Sequence, residues 1–299
     1  MAELSGLVIV NKEAGLSSQA VVNRVKRIFG VSKAGHTGTL DPMATGVLPV
    51  LIGRGVKASE FMLTADKHYG ATLRLGITTD TEDTTGEILS TSDRIPTEEE
   101  VLAAVSHHIG EIMQTPPMYS ALKVGGKKLY ELAREGKEIE REARKITVYS
   151  IEARRLTDTD YFLDVRCSKG TYIRTLCADI GAYLGCGGAM ASLERLSASG
   201  YPISGAHTLS ELEGMSEEER LANVLPVEDI FKAYPSVVLP EFFTRLAKCG
   251  LEIYLKKIGV DFPLGERVRL CSHQGFFALG EVREYEDGPA IKPIRQFEL

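Results

Sequence analysis

Short apolar runs alternate along the chain with glycine- and proline-marked breaks, and the period of the apolar positions changes from run to run. Leu7 to Val10 within Gly6–Lys12 predicts a short strand ending in a polar loop. Ser17 or Ser18 can then cap a helix through Phe29, with Val21, Val25 and Ile28 on one face and Gly30 as its stop. The run Val47-Leu48-Pro49-Val50-Leu51-Ile52 is apolar without interruption. Gly53-Arg54-Gly55 reads as a turn, Val56 to Leu63 as a helix, and His68 to Gly76 as a strand. Thr78 to Arg94 is a polar loop or hairpin. Thr97, with Glu100 three residues on, makes a capping box for a helix whose apolar face is Val101, Leu102, Val105 and Ile109.

Pro116-Pro117 breaks this order. The charged, helix-like stretch Leu129 to Glu142 has little apolar periodicity, which predicts an excursion from the fold at about residues 117–145. Ile146 to Leu156 and Tyr161 to Cys167 read as two strands joined by a turn at 157–160. Ser168 to Thr171 opens a helix carrying Ile173, Leu176, Cys177, Ile180 and Leu184, which the glycines at 185, 187 and 188 end. Leu193-Glu194-Arg195-Leu196 continues into a strand or loop near Ser197, and the acidic Leu209 to Arg220 into a surface helix. Proline density between Leu225 and Pro240 marks a boundary. Beyond it Arg267–Leu270, Phe276–Leu279 and Gly280–Arg283 read as short strands of a small β-barrel.

With 299 residues, 43% of them hydrophobic, the chain suits a large domain plus a small one. Its five cysteines form no C-x-x-C pair, which argues for reduced thiols, no zinc site and a cytoplasmic location. No basic leader or membrane-length apolar run is present, so neither a signal peptide nor a membrane partner is expected. The net charge of −6 hides segregation. Asp80 to Glu100 holds eight acids against one base, whereas Pro117 to Lys145 holds eight bases against five acids. Binding follows the local field, so a polyanion remains a candidate partner for an acidic protein.

The densest chemistry lies in Gly35-His36-Thr37-Gly38-Thr39-Leu40-Asp41-Pro42-Met43-Ala44-Thr45-Gly46. Pro42 pushes Asp41 out of helical conformation. The carboxylate is either a reactive group on a glycine-rich loop or the centre of an Asx turn. His36 is a base, a stacking group or a hydrogen-bonded loop residue. Tyr69 either faces a ligand or is half-buried core. Arg174, beside Tyr172 at a helix start, pairs with a surface acid or a catalytic carboxylate, and Lys12 meets a phosphate or water. The chain has no P-loop, no G-x-G-x-x-G, no H-E-x-x-H and no G-x-S-x-G. An enzyme built here would use a carboxylate with no cofactor and no metal.

Ala34 to Leu48 closely resembles the catalytic motif of the TruB family of tRNA pseudouridine synthases. Lys67-His68-Tyr69 is similar to the family's active-site tyrosine segment, and Pro117 to Lys123 with Gly126 to Glu131 to its RNA-gripping insertion. Cys167 to Leu176 resembles the second active-site segment, and Leu193 to Leu196 the Leu-Arg-Arg-Leu stretch. Two departures stand out: Glu13 replaces the usual proline after Lys12, and Glu194 replaces the first arginine.

The resemblance implies an α+β pseudouridine synthase fold, with a central mixed, mostly antiparallel sheet flanked by helices. It implies a catalytic domain over residues 1–234 and a small PUA-like β-barrel domain over 235–299. The implied substrate is uridine 55 in the T-arm stem-loop of tRNA. Asp41 would be the nucleophile, attacking sugar or base, or the base of an elimination. Arg174 would pair with it and lower its pKa. Tyr69 would stack on the flipped base, His36 would fill the gap left in the RNA, and Tyr172 and Leu193 would line the uridine pocket. Lys12, Lys127 and Lys128 would contact substrate. A monomer with no obligatory protein partner is expected, because the basic insertion would grip RNA directly, unlike the guide-dependent relatives. The alternative of another class is a noncatalytic tRNA-binding protein or folding chaperone on the same scaffold.

Overall fold

In the computed structural model, which describes residues 4–297, the apolar runs pair into one large sheet. Its strands lie in the order Gly6–Lys12, Thr45–Ile52, Gly188–Ala198, Lys67–Leu75, Asp160–Cys167, Arg144–Arg155 and Gly110–Gln114. Neighbours along this order are antiparallel except Thr45–Ile52 and Gly188–Ala198, which run parallel through Glu194↔Thr45 and Arg195↔Gly46. The sheet is therefore mixed and mostly antiparallel, as expected. Three helices cover one face: Ser18–Ile28, Glu98–His107 and Ile173–Leu184. They set Val21, Val25, Val101, Leu176 and Ile180 against Tyr69, Ala71, Leu73 and Leu75 in a shared core.

Thr45–Ile52 is buried from Gly46 onward, which explains its unbroken apolar sequence. Leu48, Val50 and Ile52 join the helix-side core, whereas Val47 and Leu51 join a second cluster on the other face. That second cluster is where the C-terminal unit docks. Phe231 meets Phe61, Phe297 and Phe276 with ring centroids at 5.2, 5.4 and 5.8 Å, and Leu279 packs with Leu7 and Ile9.

The C-terminal strands form a separate sheet in the order Ser236–Val238, Arg267–Ser272, Gly275–Arg283, Ala290–Gln296, Ile253–Tyr254. It curls into a half-barrel over its own core of Val268, Leu270, Phe277 and Ile291, and its two end strands do not pair with each other. With the main sheet and its helices this makes the α+β architecture expected.

Several element boundaries differ from the sequence reading. Val56 to Leu63 is a 3-10 turn, Gly53–Ala58, running into the single turn Ser59–Met62. Leu209 to Arg220 is two helices, Leu209–Gly214 and Glu217–Ala222, because Ser216 starts a second capping box with Glu219 behind that of Thr208 and Glu211. Only Leu129–Arg134 of the charged insertion is helical. Its preceding hairpin, Lys123–Val124 with Lys127–Lys128, turns at Gly125 and Gly126, both with positive φ. The helix expected from Ser168 begins at Ile173, after the left-handed Gly170. Phe276 to Arg283 is one strand rather than two.

Gly46 sits where the loop meets the strand of Arg195 with no room for a side chain. Its φ is +98°, and a Cβ there would fall onto the backbone carbonyl and amide of Arg195. Gly46→Ala is expected to cost at least ~1–3 kcal/mol of stability. Gly205→Ala, at a site with open space around it, should be close to neutral. Denaturant unfolding of the two variants checks this, and equal midpoints would show that the loop moves aside freely.

Candidate active site

The Asp41 loop is held almost wholly through its backbone. Ser17 caps the first long helix by accepting from the Ala20 amide at 3.2 Å. The buried Ser18 is thereby left to grip Leu40, accepting from its amide at 2.9 Å and donating to its carbonyl at 3.0 Å. Past Asp41, the Gly15 amide donates to the Pro42 carbonyl at 2.8 Å. The Lys12 ammonium donates to the carbonyls of Ala44, Glu13 and Pro42 at 2.6, 2.9 and 3.1 Å. The short strand Ala34–His36 pairs with Thr45–Ile52, placing His36 opposite Val50.

This overturns the expected contact of Lys12 with substrate. Its side chain is 0% exposed, and its three donors end on backbone carbonyls beneath the loop. Burial pushes its pKa down to about 8, against the pull of the nearby Asp41 carboxylate. Lys12 braces the loop from inside.

Arg174, one residue into its helix and 5% exposed, meets Asp41 with two nitrogens: Nε at 2.9 Å from Oδ2 and Nη2 at 3.5 Å from Oδ1. The remaining donors are fixed by segments from elsewhere in the chain. Nη2 donates to the Tyr119 carbonyl at 2.7 Å and Nη1 to the Thr81 carbonyl at 2.9 Å. Asp83 stands 3.9 Å from Nη1, itself buried and accepting from Thr81 Oγ1, the Thr85 amide and Thr85 Oγ1 at 2.9, 2.9 and 2.5 Å. The acidic hairpin that reads as solvated surface therefore returns to the site. Asp41 keeps 34% of its side chain open, so it can be reached.

Pairing with Arg174 does pull the pKa of Asp41 down, as expected, but it does not set the net shift. Burial pushes it above its ordinary value of 3.8 and the charge of Asp83 adds to that, while Arg174 and Lys12 oppose without overcoming it.

Tyr69 and Leu193, 7% and 9% exposed, sit on adjacent strands and belong to the helix-side core, with Leu193 opposite Ala71. Tyr172, the residue before the Arg174 helix, is clamped at its backbone by Gln114, which accepts from its amide at 2.8 Å and donates to its carbonyl at 3.0 Å. The field of Asp41 reaches both tyrosine hydroxyls, whose pKa values burial raises. Beside Tyr172 opens a cleft of about 340 Å³ lined by Gln114, Leu122, Arg144, Lys145 and Lys169. His36 is half-buried at the start of the loop, and burial pushes its pKa down, keeping the ring neutral.

The structure thus brings Asp41, Arg174, Tyr69, Tyr172, Leu193 and His36 around one loop and leaves Lys127 and Lys128 on the projecting hairpin. There Lys127 lies 3.5 Å from Glu135, and Lys128 sits 5.3 Å over the Tyr130 ring. Sequence reasoning passed over Ser18, Asp83 and Arg195. Asp83 lay in an acidic run that composition marks as surface, and Arg195 was legible only as the second arginine of a family motif. Among the described residues no group of His, Cys, Asp or Glu could hold a metal ion.

A mixed sheet with a half-barrel behind it and an arginine-paired aspartate on a strapped loop defines a pseudouridine synthase. The matching solved structures share that fold. A Cbf5 chain from a Cbf5-Nop10-Gar1 complex superposes with a TM-score of 0.72 at 26% identity, covering 98% of this chain and 84% of that one. The Nop10-Cbf5 complex of an archaeal box H/ACA sRNP gives 0.69 at 24% identity, covering 98% and 86%.

The chain belongs to the TruB family. The family's "TruB family pseudouridylate synthase (N terminal domain)" profile matches residues 26–173, and its "tRNA pseudouridylate synthase B C-terminal domain" profile matches 174–232. The tRNA pseudouridine synthase B of Francisella tularensis subsp. novicida (strain U112) is 41% identical over 281 residues, covering 93% of this chain and 91% of the relative. That of Alkaliphilus oremlandii (strain OhILAs) is 42% identical over 295 residues, covering 98% of each.

The opposition of burial and Arg174 at Asp41 has a measurable consequence. In protein carrying carbon-13 at aspartate carboxyls, the Asp41 resonance is expected to titrate above 3.8 and to move higher still in Arg174→Gln. A midpoint that falls in the variant would reverse the assigned sign of the Arg174 contribution.

Proposed function

We propose that this chain is a tRNA pseudouridine synthase that isomerises uridine 55 of the T-arm stem-loop to pseudouridine, with Asp41 as its nucleophile. The observation that carries the reading is the two-nitrogen Arg174 contact on a carboxylate that stays partly open and whose charge reaches Tyr69 and Tyr172. In the isomerisation the C1′–N1 bond breaks and a C1′–C5 bond forms, and the proton leaving C5 is balanced by one gained at N1. Nothing is added or lost overall, which suits a site built from one carboxylate and fixed dipoles.

The target base has to leave its stack before the sugar is accessible, at a cost of a few kcal/mol. The neutral imidazole of His36 enters the gap, while the uracil stacks on Tyr69 against Leu193 and Tyr172. Arg174 keeps Asp41 ionised as far as burial permits. The raised pKa gives a more basic carboxylate than a solvated one, and so a stronger nucleophile once deprotonated.

Residues 1–234 act as the catalytic domain and 235–299 as a PUA-like RNA-binding domain. The cations beside Tyr172 and those on the 117–145 insertion meet phosphates and carry no sequence readout. With its own basic insertion the protein works in the cytoplasm as a monomer without an obligatory protein partner. No helix among the described residues is long and apolar enough to cross a membrane.

Unmodified tRNA transcript carrying tritium at uridine C5 should lose it to water with the wild type and not with Asp41→Asn. No release from the wild type would favour a noncatalytic RNA-binding role, and release that survives Asp41→Asn would remove the nucleophile assignment. Replacing Lys127 and Lys128 by Ala should weaken tRNA binding and flatten the slope of log K against log salt by roughly one to two. An unchanged slope would place the phosphate contacts elsewhere.

A further inference from the structure

Arg195 is the bulkiest fully buried side chain among the described residues, 1% exposed, and it forms none of the ion pairs found among them. A guanidinium taken out of water without a carboxylate is unfavourable unless other groups replace its hydration. Here the replacements are backbone carbonyls from both arms of the catalytic loop. Nε donates to the Val47 carbonyl at 2.7 Å, beyond Asp41. Nη2 donates to the Gly38 carbonyl at 3.1 Å and Nη1 reaches the Thr39 carbonyl at 3.5 Å, both before Asp41.

The backbone of Arg195 is fixed as firmly as its side chain. Its Cα pairs with Tyr69 on one side and Gly46 on the other, and the left-handed Gly46 lets the end of the loop press against it. On the Tyr69 side the charge of the guanidinium reaches the tyrosine hydroxyl and opposes the rise that burial gives its pKa. Ser18 and Lys12 hold the middle of the loop, at Leu40, Pro42 and Ala44. Arg195 spans both arms, and its backbone pairs with that of Tyr69, so it also ties the loop to the aromatic platform. A planar fork with five donors can do this, and a lysine ammonium, with its donors at one point, cannot.

We propose that Arg195 is a positioning residue for the isomerisation: its buried guanidinium locks both arms of the Asp41 loop to the strand facing Tyr69, so that nucleophile and stacking face keep one register. The inference rests on the roles given above to Asp41 and Tyr69. Misplacing a reacting group by about 1 Å can cost on the order of 100-fold in rate, and the substrate is gripped largely by groups Arg195 does not touch. Loss of Arg195 should therefore appear in kcat rather than in tRNA affinity.

The test compares Arg195→Met, Arg195→Lys and Val105→Ala by single-turnover tritium release, KM, tRNA affinity and thermal melting. Val105 lies in the core of the Glu98–His107 helix, away from the loop. Arg195→Met is expected to lose on the order of 100-fold in kcat with tRNA affinity unchanged. Arg195→Lys should melt closer to the wild type yet recover only part of the rate. Val105→Ala should melt lower and keep its kcat. Wild-type kcat in both Arg195 variants, a loss confined to KM, or an equal loss in Val105→Ala would overturn the proposal. If Arg195→Met does not fold, Arg195→Lys decides alone, and wild-type kcat there overturns it. Failure of the underlying reading shows separately, as absent release in the wild type or persisting release in Asp41→Asn.

Discussion

The contact between Asp41 and Arg174 joins positions 133 residues apart, and most of the catalytic half is arranged so that it can exist. A partly open carboxylate and a buried guanidinium would not hold one geometry by mutual attraction alone, because an ion pair reaching solvent is worth little. Each partner is instead fixed independently. The loop bearing Asp41 is tied through its carbonyls and amides by Ser18, Lys12 and Arg195, and the Arg174 fork is filled by the carbonyls of Thr81 and Tyr119. The pair meets because the scaffold delivers both ends.

That arrangement explains what could be read from the sequence and what could not. Strands and long helices were legible because apolar period and capping residues are local: the Thr97 and Glu100 capping box stands where it was expected. The loop around Asp41 was legible as unusual, since three glycines and a proline flank one carboxylate. Its local pattern left turn-former and reactive group both open, and the family resemblance supplied the partners. What stayed hidden depends on tertiary placement. Lys12 reads as a strand end meeting a phosphate or water, yet three carbonyls converge on its ammonium. Asp83 sits in an acidic run that favours a solvated reading until the hairpin folds back against Arg174.

The charge of Asp41 shows the same limit. An arginine partner argues for a lowered pKa, and that inference is sound for the pair in isolation. Burial of the loop and the nearby Asp83 push the other way and prevail. The balance suits a nucleophile: pairing alone would give a weakly basic carboxylate, and burial alone a protonated one. The same segregation operates on the scale of the whole chain. A protein of net charge −6 can present a polyanion with basic surface, because 80–100 holds eight acids against one base whereas the insertion holds eight bases against five acids.

The two buried arginines divide the electrostatic work. Arg174 spends two of its nitrogens on a side chain whose protonation the chemistry uses. Arg195 spends its donors on groups that do not titrate, the carbonyls of Gly38, Thr39 and Val47, so its geometry does not change with pH or with the charge on Asp41. A single arginine serving both purposes would relax the loop each time the carboxylate gained or lost charge. The strand under the loop adds to this separation. Thr45–Ile52 is buried by the helix-side core on one face and by the cluster that includes Phe61, Phe231, Phe276 and Phe297 on the other, so the C-terminal half-barrel packs behind the strand that carries the end of the loop.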